Sequence, residues 1–217
     1  MMRIELVIFD FDGTLGDTRS TIVATMQQTI AELNLSEKTD EECAATIGLP
    51  LKKCFGQLFP QLSDEEAERC TVVYRGIFET NKLRYKPVLF PHVKETLMWL
   101  REHGIRVTVA SSRSTLSLHD LLDVLDIANY FDYVLGAENV THSKPDPEPV
   151  LKTLRIMNVE ATRTLVVGDM PVDIMMGARA GCNTCGVTFG NGTEDELIQS
   201  GAGFIINDMA ELVNMVG

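Results

Sequence analysis

The chain has 217 residues, 45% of them hydrophobic and 23% charged, which allows a large core or one domain carrying a smaller insertion. No apolar run reaches the roughly 20 residues needed to span a bilayer. A net charge of −12 argues against nucleic acid as a partner, because its phosphates demand a basic surface.

The N-terminal run Met1-Met2-Arg3-Ile4-Glu5 is interrupted by an acidic residue and no small-residue cleavage site follows, so it reads as the approach to a strand and not as an export signal. Leu6–Phe9 is continuously apolar and ends in Asp10, as suits a strand buried on both faces of a parallel sheet. Residues 15–86 then show helical periodicity (Ile22, Met26, Ile30, Leu33; Cys54, Leu58; Ala67, Val73, Ile77) and almost no strand signal. They are expected to form a helical cap inserted into a core made of residues 1–14 and 87–217. A helix follows at 93–103, then a strand at Arg106–Ala110 that runs into Ser111-Ser112, and a helix at 116–125. Tyr133–Leu135 is a short strand and 147–157 a helix; 164–167 is a strand running into Gly168-Asp169, with a helix at 174–180 behind it. Short strands at 185–188 and Phe204–Ile206 and a terminal helix at 209–215 complete the chain. Strands alternating with helices predict an α/β fold, a Rossmann-like doubly wound parallel sheet, here with a small all-helical cap. The five cysteines are an odd set that points to reduced thiols in a cytoplasm. Cys182 and Cys185 form a CxxC without a second Cys or His pair nearby, and read as core or incidental thiols.

In an open parallel sheet, ligands bind at the carboxyl ends of the strands, and three of the expected strands end in reactive residues. Asp10 and Asp12 close the first, Ser111 and Ser112 the second, and Asp169 the third. Asp10, Asp169 and Asp173 would supply hard oxygen ligands of the kind Mg²⁺ takes, and without a cation their mutual repulsion would raise carboxylate pKa values. Lys144, held in Ser143-Lys144-Pro145-Asp146-Pro147 just before a helix, can offset negative charge at the same edge. If Asp10 attacks phosphorus, Asp12 can protonate the leaving oxygen and then activate water. Gly13 and Thr14 allow a tight turn that can hold a phosphate oxygen. Each feature alone has a plainer reading: aspartates capping a turn, serines capping the helix near Thr115, an acid at a helix start, a solvated lysine. Their occurrence together, in order and at expected strand ends, favours chemistry.

These residues resemble the haloacid dehalogenase superfamily over nearly the whole chain. Asp10-Phe11-Asp12-Gly13-Thr14-Leu15 is similar to its first motif, Ser111 to its second, Lys144 before proline to its third, and Gly168-Asp169 with Asp173 to its fourth. The resemblance implies Asp10 as nucleophile and Mg²⁺ ligand, and Asp12 as acid/base and main-chain carbonyl ligand. It further implies Ser111, Ser112 and Lys144 as phosphate holders, Asp169 as a metal ligand, and Asp173 behind it or bound through water. Dehalogenases lack an aspartate at the position of Asp12, so the resemblance favours a phosphatase acting on a small phosphorylated metabolite. Mutases of the β-phosphoglucomutase type usually carry Glu-Asp at the place of Gly168-Asp169. The insertion resembles the small helical cap of phosphoglycolate phosphatases and related pyrophosphatases, and Ile47-Gly48-Leu49-Pro50-Leu51, followed by Lys52 and Lys53, resembles their loop that reaches the active site. Phosphomonoester hydrolysis, pyrophosphate hydrolysis, a mutase-like transfer and a non-catalytic phosphate-sensing module all remain open at this point. His92 stands where relatives commonly have glycine, and Arg113 departs from their usual lysine, leaving it to contact phosphate or face solvent.

Overall fold

The structure, a computed structural model, describes residues 4–216; the reading of Met1, Met2 and Arg3, and the residue Gly217, lie outside the described residues. In chain order the elements are β1 (Leu6–Phe9), β2 (Gly16–Asp17), α1 (Arg19–Glu32), α2 (Asp40–Ala44), α3 (Leu51–Leu58), α4 (Asp64–Arg84), β3 (Val88–Leu89) and α5 (Val93–Glu102). Then come β4 (Arg106–Ala110), α6 (Thr115–Val124), β5 (Tyr133–Leu135), α7 (Glu148–Met157), β6 (Thr164–Gly168), α8 (Pro171–Arg179), β7 (Asn183–Val187), α9 (Glu194–Gln199), β8 (Phe204–Ile206) and α10 (Val213–Val216). A single-turn 3₁₀ helix at Met209–Leu212 leads into α10, where the sequence suggests one continuous helix.

Six strands form a parallel sheet in the order β5-β4-β1-β6-β7-β8. β1 lies near its middle, with Leu6 opposite Arg106 on one side and Thr164 on the other. Val7 and Phe9 face one core cluster and Leu6 and Ile8 the other, so both faces are covered by helices. This explains why the run is apolar throughout and does not alternate. The chain order reverses at β1, between β4 and β6, so the crevice beyond the carboxyl end of β1 is the switch point at which such sheets bind ligands.

Helices α1 to α4 fill the segment expected to be helical. α4 opens on a capping box: the Glu66 N–H donates to Ser63 Oγ at 3.2 Å, and the Ser63 N–H donates to Glu66 Oε2 at 2.8 Å. Asn81 Nδ2 of α4 donates to Thr25 Oγ1 of α1 at 3.1 Å, and Thr21 Oγ1 of α1 donates to the Tyr85 carbonyl at 2.6 Å. The β2 and β3 ribbon, antiparallel with Gly16 opposite Leu89, ties the two ends of this segment together. Phe11 and Leu15 continue the apolar core of the sheet into the helices, where it meets Met26, Phe55 and Tyr74.

His92 occupies the left-handed region with φ 60° at the start of α5, a conformation that glycine reaches without strain and histidine less often. Its Nδ1 lies 2.7 Å from Asp208 Oδ1, which ties the helix start to the C-terminal segment. Cys185 is buried on β7 and Cys182 partly buried before it. Burial pushes both thiols up to about 12, in keeping with packing and not redox chemistry. Among the described residues, no helix is long and apolar enough to cross a membrane.

Candidate functional site

β1 delivers Asp10 to the switch point while still pairing with β6, the Asp10 N–H donating to the Val167 carbonyl at 2.9 Å. The chain then turns tightly: the N–H groups of Leu15 and Gly16 both donate to the Phe11 carbonyl, at 3.0 and 2.9 Å. Gly13, at φ +88°, is the residue that permits the turn, since a Cβ there would lie 2.1 Å from Asp169 Oδ2. On the neighbouring strand, β4 ends at Ala110 and Ser111 follows, buried, its Oγ accepting the Arg113 N–H at 3.2 Å. β6 ends at Gly168 and Asp169 follows, fully buried.

Asp10, Asp169 and Asp173 offer carboxylate oxygens that all lie within 4.8 Å of one another, and all three residues are buried. Lys144 enters from the loop before α7 and donates to Asp10 Oδ1 at 2.5 Å and to Asp173 Oδ1 at 2.7 Å. Asp173 also accepts the Met170 N–H at 3.1 Å, so one carboxylate caps α8 and binds the ammonium. Asp12 points into a separate ion pair, taking Arg113 Nε at 2.7 Å on Oδ2 and Arg113 Nη2 at 2.7 Å on Oδ1, with Thr18 Oγ1 at 2.5 Å.

Four carboxylates thus face two cations, Lys144 and Arg113, and two negative charges are left over. The electrostatics register this excess. Burial raises the Asp10 carboxyl well above its usual range; Lys144 opposes the shift, and Asp173, Asp169 and Asp12 reinforce it. Asp169 is pushed up to about 7, by burial first and then by Asp173. Burial works against the charge on Lys144, but Asp10 and Asp173 outweigh it and hold its pKa above the ordinary lysine value. A buried cluster of carboxylate oxygens with two uncompensated charges fits a hard divalent cation.

The sequence-expected residues are all at this edge, with one different in its engagement. Ser112 Oγ donates to the Gly48 carbonyl of the helical segment at 2.7 Å, so its hydroxyl bridges two parts of the chain. Lys53 makes a second bridge, donating to Ser143 Oγ at 3.0 Å beside Lys144, while Lys52 pairs with Asp64 at 3.2 Å. Arg113 neither faces solvent nor stands free: its side chain is 11% exposed, and it lies over the Phe78 ring at 4.9 Å while holding Asp12. Sequence reasoning missed Asn191, whose N–H and Nδ2 both donate to Asp169 Oδ2, at 2.7 and 3.0 Å. The signal was the Gly190-Asn191-Gly192 turn after β7. A Cβ on Gly190 would lie 2.3 Å from the Asp169 Cβ and 2.4 Å from the Gly13 carbonyl oxygen, so glycine is needed for the loop to close on Asp169.

Above Asp10 a cavity of about 640 Å³ opens between the sheet edge, at Asp12 and Ser111, and the helical segment, at Ile47, Tyr74 and Phe78. A family model described as haloacid dehalogenase-like hydrolase matches residues 7–187. A relative from Dickeya dadantii named "Probable phosphatase IndB" is 37% identical over 96% of this chain and 91% of its own. A relative from Oceanobacillus iheyensis named pyrophosphatase PpaX is 31% identical over 100% of this chain and 98% of its own. Among solved structures, a haloacid dehalogenase-like family hydrolase from Streptococcus pneumoniae superposes with a TM-score of 0.88, covering 100% of both chains at 21% identity, which speaks for the fold alone.

Proposed function

The chain belongs to the haloacid dehalogenase-like hydrolase family, and from that premise we propose a Mg²⁺-dependent phosphatase that hydrolyses a small phosphomonoester through a phosphoryl group held on Asp10. One observation carries this reading: Asp10, Asp169 and Asp173 cluster within 4.8 Å, buried, with Lys144 bonded to Asp10. A buried carboxylate cluster of this kind is costly unless a cation joins it. Asp10, the Asp12 main-chain carbonyl and Asp169 would hold Mg²⁺, with Asp173 behind them; the ion supplies the positive charge that lets a phosphate dianion approach a carboxylate.

In the proposed sequence an Asp10 carboxylate oxygen forms a bond to phosphorus as the bond to the leaving oxygen breaks, and Asp12 gives that oxygen its proton. Water then attacks phosphorus and passes a proton back to Asp12, and the Asp10 carboxylate is restored as phosphate departs. General acid–base help of this sort is worth about 10²–10⁴ in rate. Ser111 and Lys144 hold phosphate oxygens meanwhile. Asp12 serves in this role once it leaves Arg113 and Thr18 and turns toward the leaving oxygen. Residues 15–86 act as a cap over the core, with the Ser112–Gly48 and Lys53–Ser143 bonds as the contacts that close it and exclude water from the transfer. Free thiols suit a cytoplasmic setting.

Pyrophosphate hydrolysis is the second reading, on the strength of the relative named for it. The mutase reading loses ground at Gly168, where any Cβ would lie 2.3 Å from the Asp173 Cβ, leaving no room for a glutamate unless α8 shifts. Phosphate release from a phosphomonoester panel tests the proposal. Activity should require Mg²⁺, vanish with EDTA and be lost in Asp10→Asn; an Asp10→Asn enzyme with near-wild-type turnover would overturn it.

A further inference from the structure

We propose that the cavity above Asp10 selects a phosphomonoester whose leaving alcohol is uncharged and carries an apolar ring, in preference to the second anion of pyrophosphate or the carboxylate of a two-carbon acid. The inference rests on the phosphatase reading and adds the chemistry of the leaving group. At about 640 Å³ the cavity falls within the range of roughly 300–1,000 Å³ typical of sites that enclose drug-sized ligands. A two-carbon acid would leave most of it empty.

The walls say what fills it. Tyr74 and Phe78, which stack with ring centroids 5.9 Å apart and 18° between planes, form an aromatic floor that lines the cavity. Leu49, Leu51 and Leu116 line the same space, and Leu116 is 75% exposed. An apolar ring entering beside them would remove this surface from water, which favours binding.

Charge points the same way. A second anionic group on the substrate would meet a lining that carries six carboxylates, those of Asp10, Asp12, Glu68, Glu79, Asp120 and Glu138, against three cations, Lys52, Arg75 and Arg113. Lys82 offsets part of this charge by pairing with both Glu79 and Asp120, and the excess that remains is negative and repels a further anion. Polar groups line the cavity as well, Tyr74 among them. Tyr74 is 7% exposed and lines the cavity, and its hydroxyl makes no hydrogen bond among the described residues. A hydroxyl or carbonyl on the leaving alcohol would satisfy it.

The test compares benzyl phosphate, 2-phosphoglycolate and inorganic pyrophosphate with Mg²⁺ present. The first two are both primary alkyl esters, so their intrinsic leaving-group reactivity is comparable and the pocket decides between them. We expect kcat/KM for benzyl phosphate to exceed the other two by about tenfold or more, the ratio that about 1.4 kcal/mol of differential binding produces. Leu116→Lys, at the exposed mouth, should narrow that ratio by lowering the benzyl value and raising the phosphoglycolate value. Calorimetry reads the pocket without turnover: benzylphosphonate, which is not hydrolysed, should bind more tightly than phosphonoacetate. Preference for 2-phosphoglycolate or pyrophosphate, or tighter binding of phosphonoacetate, overturns the pocket inference and leaves the phosphatase reading standing. Absence of phosphate release from both esters and from pyrophosphate overturns the phosphatase reading, and this inference with it.

Discussion

Lys144→Met removes the one cation bonded to both Asp10 and Asp173 while keeping an unbranched side chain of similar length, so packing changes little and charge changes most. Lys144 is 3% exposed and its two partners are buried as well, so water cannot take over its role. Breaking a buried ion pair by removing one partner costs about 3–5 kcal/mol. For a chain of this size each kcal/mol moves the melting temperature by about 2–4 °C, which together predict a fall of about 6–20 °C in EDTA at pH 8. The sign of the pH dependence follows from the same geometry. Burial already raises the folded Asp10 carboxyl and Lys144 opposes that shift, so without Lys144 it titrates higher still than in the unfolded chain; the folded state then holds an extra proton and loses stability as pH rises. The variant should therefore lose less against wild type at pH 5.5 than at pH 8, and Mg²⁺ should restore part of the loss. Thermal unfolding followed by circular dichroism measures this. A melting temperature within about 2 °C of wild type at pH 8 would refute the picture of a buried charge held between two carboxylates.

Gly190→Ala should lower Mg²⁺ affinity by about 10–100-fold, as is usual when the group supporting a metal ligand is disturbed, because the new Cβ would push on Asp169 and on the Gly13 carbonyl; calorimetric titration with Mg²⁺ checks it, and an unchanged Kd would contradict it. In the metal-free wild type, Asp169 is raised from an ordinary value of 3.8 to about 7, so the folded state retains a proton that the unfolded chain releases. Stability in EDTA should then fall as pH climbs from about 4 to about 7 and level off above that, and saturating Mg²⁺ should flatten the slope; urea midpoints across pH, with and without the ion, provide the measurement. Ser63→Ala breaks the capping box of α4 and should cost about 1 kcal/mol, seen as a melting shift of about 2–4 °C with the Mg²⁺ affinity unchanged.

The parallel sheet and the residues at its carboxyl edge were legible because each strand is a continuous apolar run ending in a polar residue, a pattern that burial on two faces imposes. β2 and β3 were not, since two residues such as Gly16-Asp17 or Val88-Leu89 cannot display a period of two. The terminal helix was read as one element because its apolar spacing is helical throughout, whereas the backbone takes its first turn as 3₁₀ under an Asp208 cap. Arg113 looked like a choice between phosphate and solvent. Its partner Asp12 lies 101 residues away, and nothing local announces a pairing that the fold creates by placing β1 beside β4. Ser112 was expected to hold phosphate beside Ser111, and nothing local announces the bond its hydroxyl makes to the Gly48 carbonyl of the helical segment, 64 residues away. Asn191 shows the same limit, since its 22-residue separation from Asp169 is bridged only by adjacent strands.

The most direct test of the central claim, that Asp10 accepts the phosphoryl group, is to trap it. Enzyme turning over a phosphomonoester with Mg²⁺ is quenched in acid, reduced with borohydride and digested, and the peptide containing Asp10 is sequenced by mass spectrometry. An acyl phosphate on Asp10 predicts homoserine at that position, and Asp10→Asn predicts none. Homoserine at another aspartate, or phosphate release with no trapped acyl phosphate anywhere in the chain, would contradict the account.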